Sequence, residues 1–167
     1  MQTLLDEAIE AWEDARGGLI EELENIPANQ FDFRPTPETR SVAELAVHIM
    51  EVSLMMAGEL TREESDFTRA PFPKLIAQYS RDVQKLRTKR EILVAMKRTL
   101  REGVKAFREA GDLHMLQLIL RFDGENGTRL AWFHHGISQE MYHRGQIVTC
   151  QRLMGLTPAL TQRIRGA

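Results

Sequence analysis

The residues best suited to chemistry lie in one stretch near the end of the chain, residues 128–155. This stretch contains His134, His135 and His143, which are three of the five histidines, and Cys150, the single cysteine. Neutral imidazole is a good ligand for zinc, nickel, copper and iron. A metal site is therefore the first chemistry to consider.

The same stretch is typical of one long helix. Thr128 can cap its start, and Gly155 stands where a C′ glycine would end it. At about 100° per residue, one face mixes hydrogen-bonding and apolar side chains and comprises Trp132, His135, Gln139, Tyr142, His143, Gln146, Cys150 and Leu153. We expect this face to line an interior pocket. A second apolar row lies on another side of the helix and comprises Leu130, Ile137, Met141 and Val148. Such a helix is either central in the fold or shared with a second subunit.

Apolar residues at three- and four-residue spacing indicate three further long helices. They cover about residues 4–25, 41–60 and 88–110, and the second and third open with capping boxes. Gly17 and Gly18 lie in the middle of the first helix. They predict a kink or the close approach of another helix at this point.

The connections between the helices are less regular. Residues 61–73 are polar and contain prolines, which indicates a loop that crosses the bundle, and residues 74–86 fit a short helix. The apolar run at residues 113–120 fits a strand, a turn of helix or an irregular strip equally well. The segment after residue 155 is expected to pack loosely on the bundle.

These elements predict an all-α fold, a four-helix bundle with a long crossing connection between helices 2 and 3, in a single domain over residues 1–167. The net charge of −2 gives no basic field that would attract nucleic acid. The sequence has no apolar run of about 18 residues, so no membrane span is expected. A lone cysteine fits a reducing compartment, and we expect a cytoplasmic protein.

Metal sites in helix bundles are built from inward side chains on facing helices. The candidates are His48 on the second helix, and His143 with Gln139 or His135 on the last. Positions four apart lie one above the other on a helix, so Gln139 and His143 can share one ion while His48 approaches across the core. The alternative is that the histidines are hydrogen-bonded core residues without a metal.

Other polar residues have simpler expected roles. His134 lies off the polar face and is expected to be solvated or at an interface. Glu140 is expected to pair with Arg144 at the surface, in a contact worth ~0.3–0.5 kcal/mol. Glu44, one turn before His48, is the carboxylate best placed to orient that histidine.

Two motifs resemble those of the DinB (YfiT-like) superfamily. Residues 142–147 (YHRGQI), followed by residues 153–155 (LMG), resemble the signature of the family's final helix. Residues 34–48 (RPTPETRSVAELAVH) resemble its proline-rich lead into the second helix. The motifs keep the family's order and approximate spacing, and the resemblance covers nearly the whole chain.

The resemblance implies a four-helix bundle, usually dimeric, in which three histidines hold a divalent metal, often nickel or zinc. His48 matches the first ligand and His143 the third, whereas Gln139 stands where the second histidine is expected. An amide oxygen is a poor ligand for these metals, so a His-Gln-His site should bind about an order of magnitude more weakly than three histidines. The family's damage-inducible label concerns regulation of expression and implies a stress-related role.

Two functional hypotheses follow from these residues. In the first, the chain is a DinB-like divalent-metal-binding protein that acts as a metal-dependent hydrolase or as an S-transferase with a low-molecular-weight thiol. In the second, it is a metal-free dimeric bundle that binds a small molecule or a protein. A nucleic-acid-binding role ranks third, because the sequence shows no basic stripe.

Overall fold

The computed structural model describes residues 2–166, which are mainly helical. The elements in chain order are α1 (Leu4–Asn25), α2 (Val42–Leu60), α3 (Phe72–Tyr79), α4 (Lys89–Ala110), α5 (Asp112–Met115), β1 (Leu118–Leu120), β2 (Asn126–Thr128), α6 (Arg129–Leu153) and α7 (Ala159–Arg165). A short 3-10 turn, Ala28–Gln30, follows α1. None of the helices described is long and apolar enough to cross a lipid bilayer.

The long helices α1, α2, α4 and α6 form a four-helix bundle. Helix α1 packs against α4 and α6, and α2 packs against the same two helices. The connection between α2 and α4 spans residues 61–88 and carries α3, which packs on α2. The predicted all-α bundle, with a long connection between its second and third helices, is confirmed.

The bundle helices begin where the sequence predicts, because the predicted caps are formed. Ser41 and Thr88 each accept the backbone N–H three residues further on, and Glu44 and Glu91 close the two capping boxes. Thr128 accepts a backbone N–H at the start of α6. Each such cap contributes about 1 kcal/mol to stability.

The apolar core runs along the bundle in two clusters. One is rich in aromatic rings, with Trp12 in edge contact with Phe107 and Phe133. The other is mainly aliphatic and includes Leu23 and Ile147. The four long helices therefore bury apolar side chains over most of their length, which fixes the positions of the polar side chains between them.

The buried face of α6 differs from the predicted one. It follows a seven-residue repeat that comprises Leu130, Phe133, Ile137, Glu140, Arg144, Ile147 and Gln151. Tyr142 and Leu153, predicted to face an interior pocket, are 64% and 60% exposed, and Met141 of the second apolar row is also exposed. The prediction was wrong for these residues because several core positions carry polar side chains whose partners lie on other helices. Other residues of the predicted face agree with it, since His143 and Cys150 are buried and Trp132, His135 and Gln139 line a cavity.

One connection differs from expectation, and a second takes two of the conformations that the sequence left open. Helix α3 ends at Tyr79 rather than near residue 86, because the chain turns after it and buries Val83 in the core. The ambiguous run at residues 113–120 contains the end of the short helix α5 and the strand β1. Strand β1 pairs antiparallel with β2, with Leu118 opposite Thr128.

The C-terminal segment is held firmly rather than loosely. The buried Glu22 carboxylate of α1 accepts the backbone N–H groups of Ala159 (2.8 Å) and Leu160 (3.1 Å) at the start of α7. It also accepts a hydrogen bond from Gln151 Nε2 of α6 at 2.7 Å. One carboxylate therefore joins three helices, a contact that no periodicity in the sequence indicates.

Candidate metal centre and adjoining cavity

The two histidines singled out in the sequence lie side by side. His48 is on α2 and His143 on α6, and their ring centroids are 5.0 Å apart with an interplanar angle of 82°. His143 is buried, and the side chain of His48 is 19% exposed. Because α2 and α6 pack directly on each other, the pair is positioned by the bundle itself.

Each ring has an oxygen beside its Nδ1 atom. His143 Nδ1 lies 3.0 Å from Gln146 Oε1, and His48 Nδ1 lies 3.8 Å from Glu51 Oε2. The 3.8 Å separation at His48 is too long for a hydrogen bond. At His143, a proton on Nδ1 donated to Gln146 Oε1 leaves the lone pair of Nε2 free. This is the tautomer that a metal ligand adopts when a neighbouring acceptor orients it.

The carboxylate beside His48 is that of Glu51, and the prediction that Glu44 would take this place was wrong. Glu44 accepts two bonds from Arg34, at 2.6 and 2.7 Å, and one from the Ser41 backbone N–H at 3.0 Å. The Arg34 contact is the main reason why the pKa of Glu44 is lowered. The connector before α2 thus supplies an arginine that takes Glu44 away from the histidine.

Burial is the main reason why the pKa of His48 falls from 6.5 to about 4, and the charge of Arg40 and the proximity of His143 lower it further. His48 is therefore an uncharged imidazole at neutral pH. This is the form that binds a metal ion.

A cavity of about 410 Å³ opens next to His48. Gln139 and His135 line the same cavity, so together with His48 three polar side chains contribute to its walls. The other lining residues are mostly apolar and comprise Val52, Met55, Met56, Phe72, Phe122, Trp132 and Gly136. The volume and the lining are typical of a site for a small organic molecule.

A separate groove of about 750 Å³ runs between the connector before α2 and the later part of α6. Its lining includes the charged Arg40 and Glu38. Gln146, which contacts His143, also lines this groove. Cys150 also lines the groove, and burial raises the pKa of this thiol, which lowers its reactivity.

The remaining histidines lie outside the pair. His134 is exposed, as predicted. His135 is exposed as well and stacks on Trp132, with ring centroids 4.5 Å apart. His114 Nε2 lies 3.0 Å from the Leu60 carbonyl oxygen, which accounts for its position.

The donors near the pair make an incomplete metal site. Within residues 2–166, no three His, Cys, Asp or Glu side chains are grouped closely enough to hold an ion. The pair supplies the imidazoles of His48 and His143, and the amide of Gln139 lies on the wall of the cavity that His48 also lines. Two imidazoles with an amide oxygen fit a weak divalent site with open positions for water.

One polar cluster was missed by the sequence reasoning. Glu140 is buried, and it accepts Arg16 Nε at 2.8 Å, Arg16 Nη2 at 2.5 Å and Trp12 Nε1 at 2.6 Å. Arg16 is fully buried, and its other acceptors are Ser53 Oγ, Thr99 Oγ1 and the Met96 carbonyl. This cluster joins all four bundle helices.

The predicted surface pair of Glu140 and Arg144 is therefore wrong. Arg144 is buried and lies 3.9 Å from Glu22, with its guanidinium over Gly18, where a Cβ atom would clash with it. The close approach predicted at Gly18 is made by this side chain, and α1 continues through it. The available signal was Arg16 itself, a charged residue at core spacing after Trp12.

The fold and the site together define this class of protein: a four-helix bundle with one long connection, in which a pair of histidines lies between α2 and α6. The family model for the DinB family matches residues 1–165 of this sequence. The chain belongs to the DinB family, as its two sequence motifs suggested.

Solved structures show the same fold. The DinB-like protein YjoA from Bacillus subtilis is 18% identical, with a TM-score of 0.66 over 90% of this chain and 93% of that one. YfiT from Bacillus subtilis, described as "a probable metal-dependent hydrolase with an unusual four-helix bundle topology", is 18% identical, with a TM-score of 0.67 over 92% of this chain and 89% of that one. A mycothiol-dependent maleylpyruvate isomerase is 13% identical, with a TM-score of 0.69 over 88% of this chain and 63% of that one. A comparison with curated protein sequences gave no significant match.

Proposed function

We propose that this chain binds one divalent ion, nickel or zinc, between His48, Gln139 and His143. The observation that carries the proposal is the 5.0 Å separation of the two imidazole centroids. Rings this close can both reach one ion, since zinc–nitrogen bonds are about 2.0–2.1 Å long. Gln139 lies on the wall of the cavity that His48 also lines, and it supplies a neutral third donor.

The surroundings of the two rings support this proposal. Gln146 lies 3.0 Å from His143 Nδ1 and favours the tautomer in which Nε2 of this ring is free, and the Glu51 carboxylate lies 3.8 Å from His48 Nδ1. His48 is uncharged at neutral pH, so an ion does not have to displace a proton from it. The neutral amide of Gln139 lowers the expected affinity for the metal, and the two imidazoles remain as ligands.

A bound ion would act as a Lewis acid that lowers the pKa of a coordinated water or thiol toward neutrality. Either product is a nucleophile, which makes a hydrolase or a transferase that uses a low-molecular-weight thiol the supported reaction classes. YfiT is described as a probable metal-dependent hydrolase, and the isomerase with the same fold is described as dependent on mycothiol, a thiol. The protein's own contribution is to hold the imidazoles and to provide an apolar cavity beside them.

Metal analysis after loading with nickel or zinc tests the proposal. The wild-type protein should take up about one ion per chain, and His143→Ala should take up much less. His134→Ala is the matched control, because His134 is an exposed histidine on the same helix, and it should bind as the wild type does. The proposal is rejected by a wild type without stoichiometric uptake, or by His143→Ala with undiminished uptake.

A second candidate function is a metal-free binding module for a small molecule. The apolar lining of the cavity favours it, because such walls bind organic molecules without a metal. His48 and His143 would then serve as hydrogen-bonding core residues. Hydrolysis and thiol-transfer assays that stay silent with every metal would support this alternative.

A further inference from the structure

We propose that the cavity beside His48 receives an uncharged aromatic compound, and that this compound is the substrate of the proposed metal centre. The inference rests on the proposed function and adds the chemical class of the molecule on which the centre acts. It is carried by the composition, charge and position of the cavity walls.

Aromatic rings from three parts of the chain form one side of the cavity. Phe72 belongs to α3, Phe122 to the turn between β1 and β2, and Trp132 to α6. The ring centroids of Phe72 and Phe122 are 4.9 Å apart, and those of Phe122 and Trp132 are 6.0 Å apart. The three rings therefore form a contiguous aromatic wall. His135 and Arg121 already pack on the Trp132 ring, so a flat ring in the cavity would meet this wall mainly edge to face.

The opposite side of the cavity is supplied by α2. Val52, Met55 and Met56 line it. Methionine side chains are flexible and polarisable, and they make favourable contacts with aromatic rings. An aromatic molecule thus meets suitable partners on both sides.

The cavity walls carry no formally charged side chain. None of the ten lining residues is Asp, Glu, Lys or Arg. Arg121 lies near this wall, but its guanidinium stacks over Trp132 at 5.1 Å and pairs with Asp123. In the metal-free protein a carboxylate placed here would lose water without gaining a partner of opposite charge, so the protein walls themselves favour a neutral molecule.

The polar lining residues fix the orientation of the molecule. His48, His135 and Gln139 are the hydrogen-bonding side chains on the wall, apart from the indole of Trp132. His48 and Gln139 are two of the proposed metal ligands, so the reactive group of the substrate belongs at that end of the cavity. The separate groove that contains Arg40 and Glu38 offers charged groups instead.

Calorimetric titration with 2-naphthamide and 2-naphthoate tests the proposal, because these probes share a ring system and differ in charge. In chelator-treated protein we expect the amide to bind and the carboxylate to bind at least about ten-fold more weakly. Val52→Phe fills the cavity and should weaken amide binding at least about ten-fold. Val94→Phe is the matched control, because Val94 is 61% exposed on α4, and it should leave binding unchanged.

Circular dichroism checks that each variant is folded. If Val52→Phe does not fold, Phe122→Asp at the exposed rim of the cavity takes its place, and the same loss is expected because it adds a charge to the wall. The proposal is overturned if neither probe binds, if the carboxylate binds as tightly as the amide, or if the folded cavity variant binds like the wild type.

Metal uptake of the same wild-type sample separates the two proposals. Uptake without amide binding rejects only the substrate class. Amide binding without uptake rejects the metal centre and the substrate role, and leaves the cavity as a binding site for neutral aromatic compounds.

Discussion

Gln139 is the residue on which the strength of the proposed metal site depends most. Its amide oxygen is neutral, whereas an imidazole is a stronger donor to zinc and nickel. We predict that Gln139→His tightens zinc binding by about ten-fold or more, measured by competition with a chromophoric chelator. Ser138→His, on the exposed side of the same helix, should leave the affinity unchanged. Equal affinities of Gln139→His and the wild type would exclude position 139 from the site.

His48 should make stability depend on pH in the acid range. Its pKa is about 4 in the folded protein and near the ordinary value of 6.5 in the unfolded chain. Above pH 6.5 both states leave it neutral, so it adds no pH dependence. Between pH 6.5 and 4 the unfolded chain binds the proton and the folded one does not, so the free energy of unfolding falls as pH falls.

We predict that His48→Gln removes about 2 kcal/mol of this acid-dependent loss of stability. The measurement is urea unfolding at several pH values between 7 and 4 (a range set by the two pKa values). His134→Gln provides the control for an exposed histidine. Parallel pH curves for His48→Gln and the wild type would show that His48 titrates normally in the folded state.

At the scale of the helices, the buried pair of Arg16 and Glu140 is the main polar link. Removing one partner of a buried ion pair leaves the other charge without compensation, at about 3–5 kcal/mol. We predict a loss of this size for Glu140→Ala in chemical unfolding. Glu102→Ala, which removes an exposed partner of Arg98, should change stability by less than about 1 kcal/mol.

The double variant Arg16→Met with Glu140→Leu completes this experiment. It replaces both charges with apolar side chains of similar size, so we expect it to recover most of the stability that Glu140→Ala loses. If Glu140→Ala costs no more than Glu102→Ala, the pair does not hold the bundle together.

The helices themselves were largely predictable, because their signals are local. Capping boxes at Ser41 and Thr88 and the spacing of apolar residues placed the long helices almost to the residue. The interior of α6 was not predictable in this way. Glu140 is buried because Arg16, 124 positions away, supplies the opposite charge. A pattern within one helix carries no information about such a partner.

The candidate site was predictable only in part, because local motifs identify its two histidines but not the residues around them. Sequence motifs singled out His48 and His143, and the packing of α2 on α6 brings the two rings together. The residues around them depend on the tertiary structure. Arg34 withdraws Glu44 from His48, and the aromatic wall is assembled from segments that lie far apart in the chain.

At the scale of the whole molecule, α6 exposes two large side chains that a homodimer interface could cover. Tyr142 and Leu153 are 64% and 60% exposed and lie on one side of the helix, eleven residues apart. We predict that sedimentation analysis gives the mass of a dimer, and that the double variant Tyr142→Glu with Leu153→Glu gives a monomer. Val94→Glu, an exposed apolar position on α4, should remain dimeric. A wild-type mass that stays monomeric at all concentrations would contradict the prediction.

Zinc-edge anomalous diffraction from zinc-loaded crystals tests the central claim most directly, because it locates the ion itself. We predict one peak between α2 and α6, with a nitrogen of His48 and a nitrogen of His143 each at about 2.0–2.1 Å from it. A peak bound elsewhere, or no peak between these two side chains in fully loaded crystals, would contradict the account.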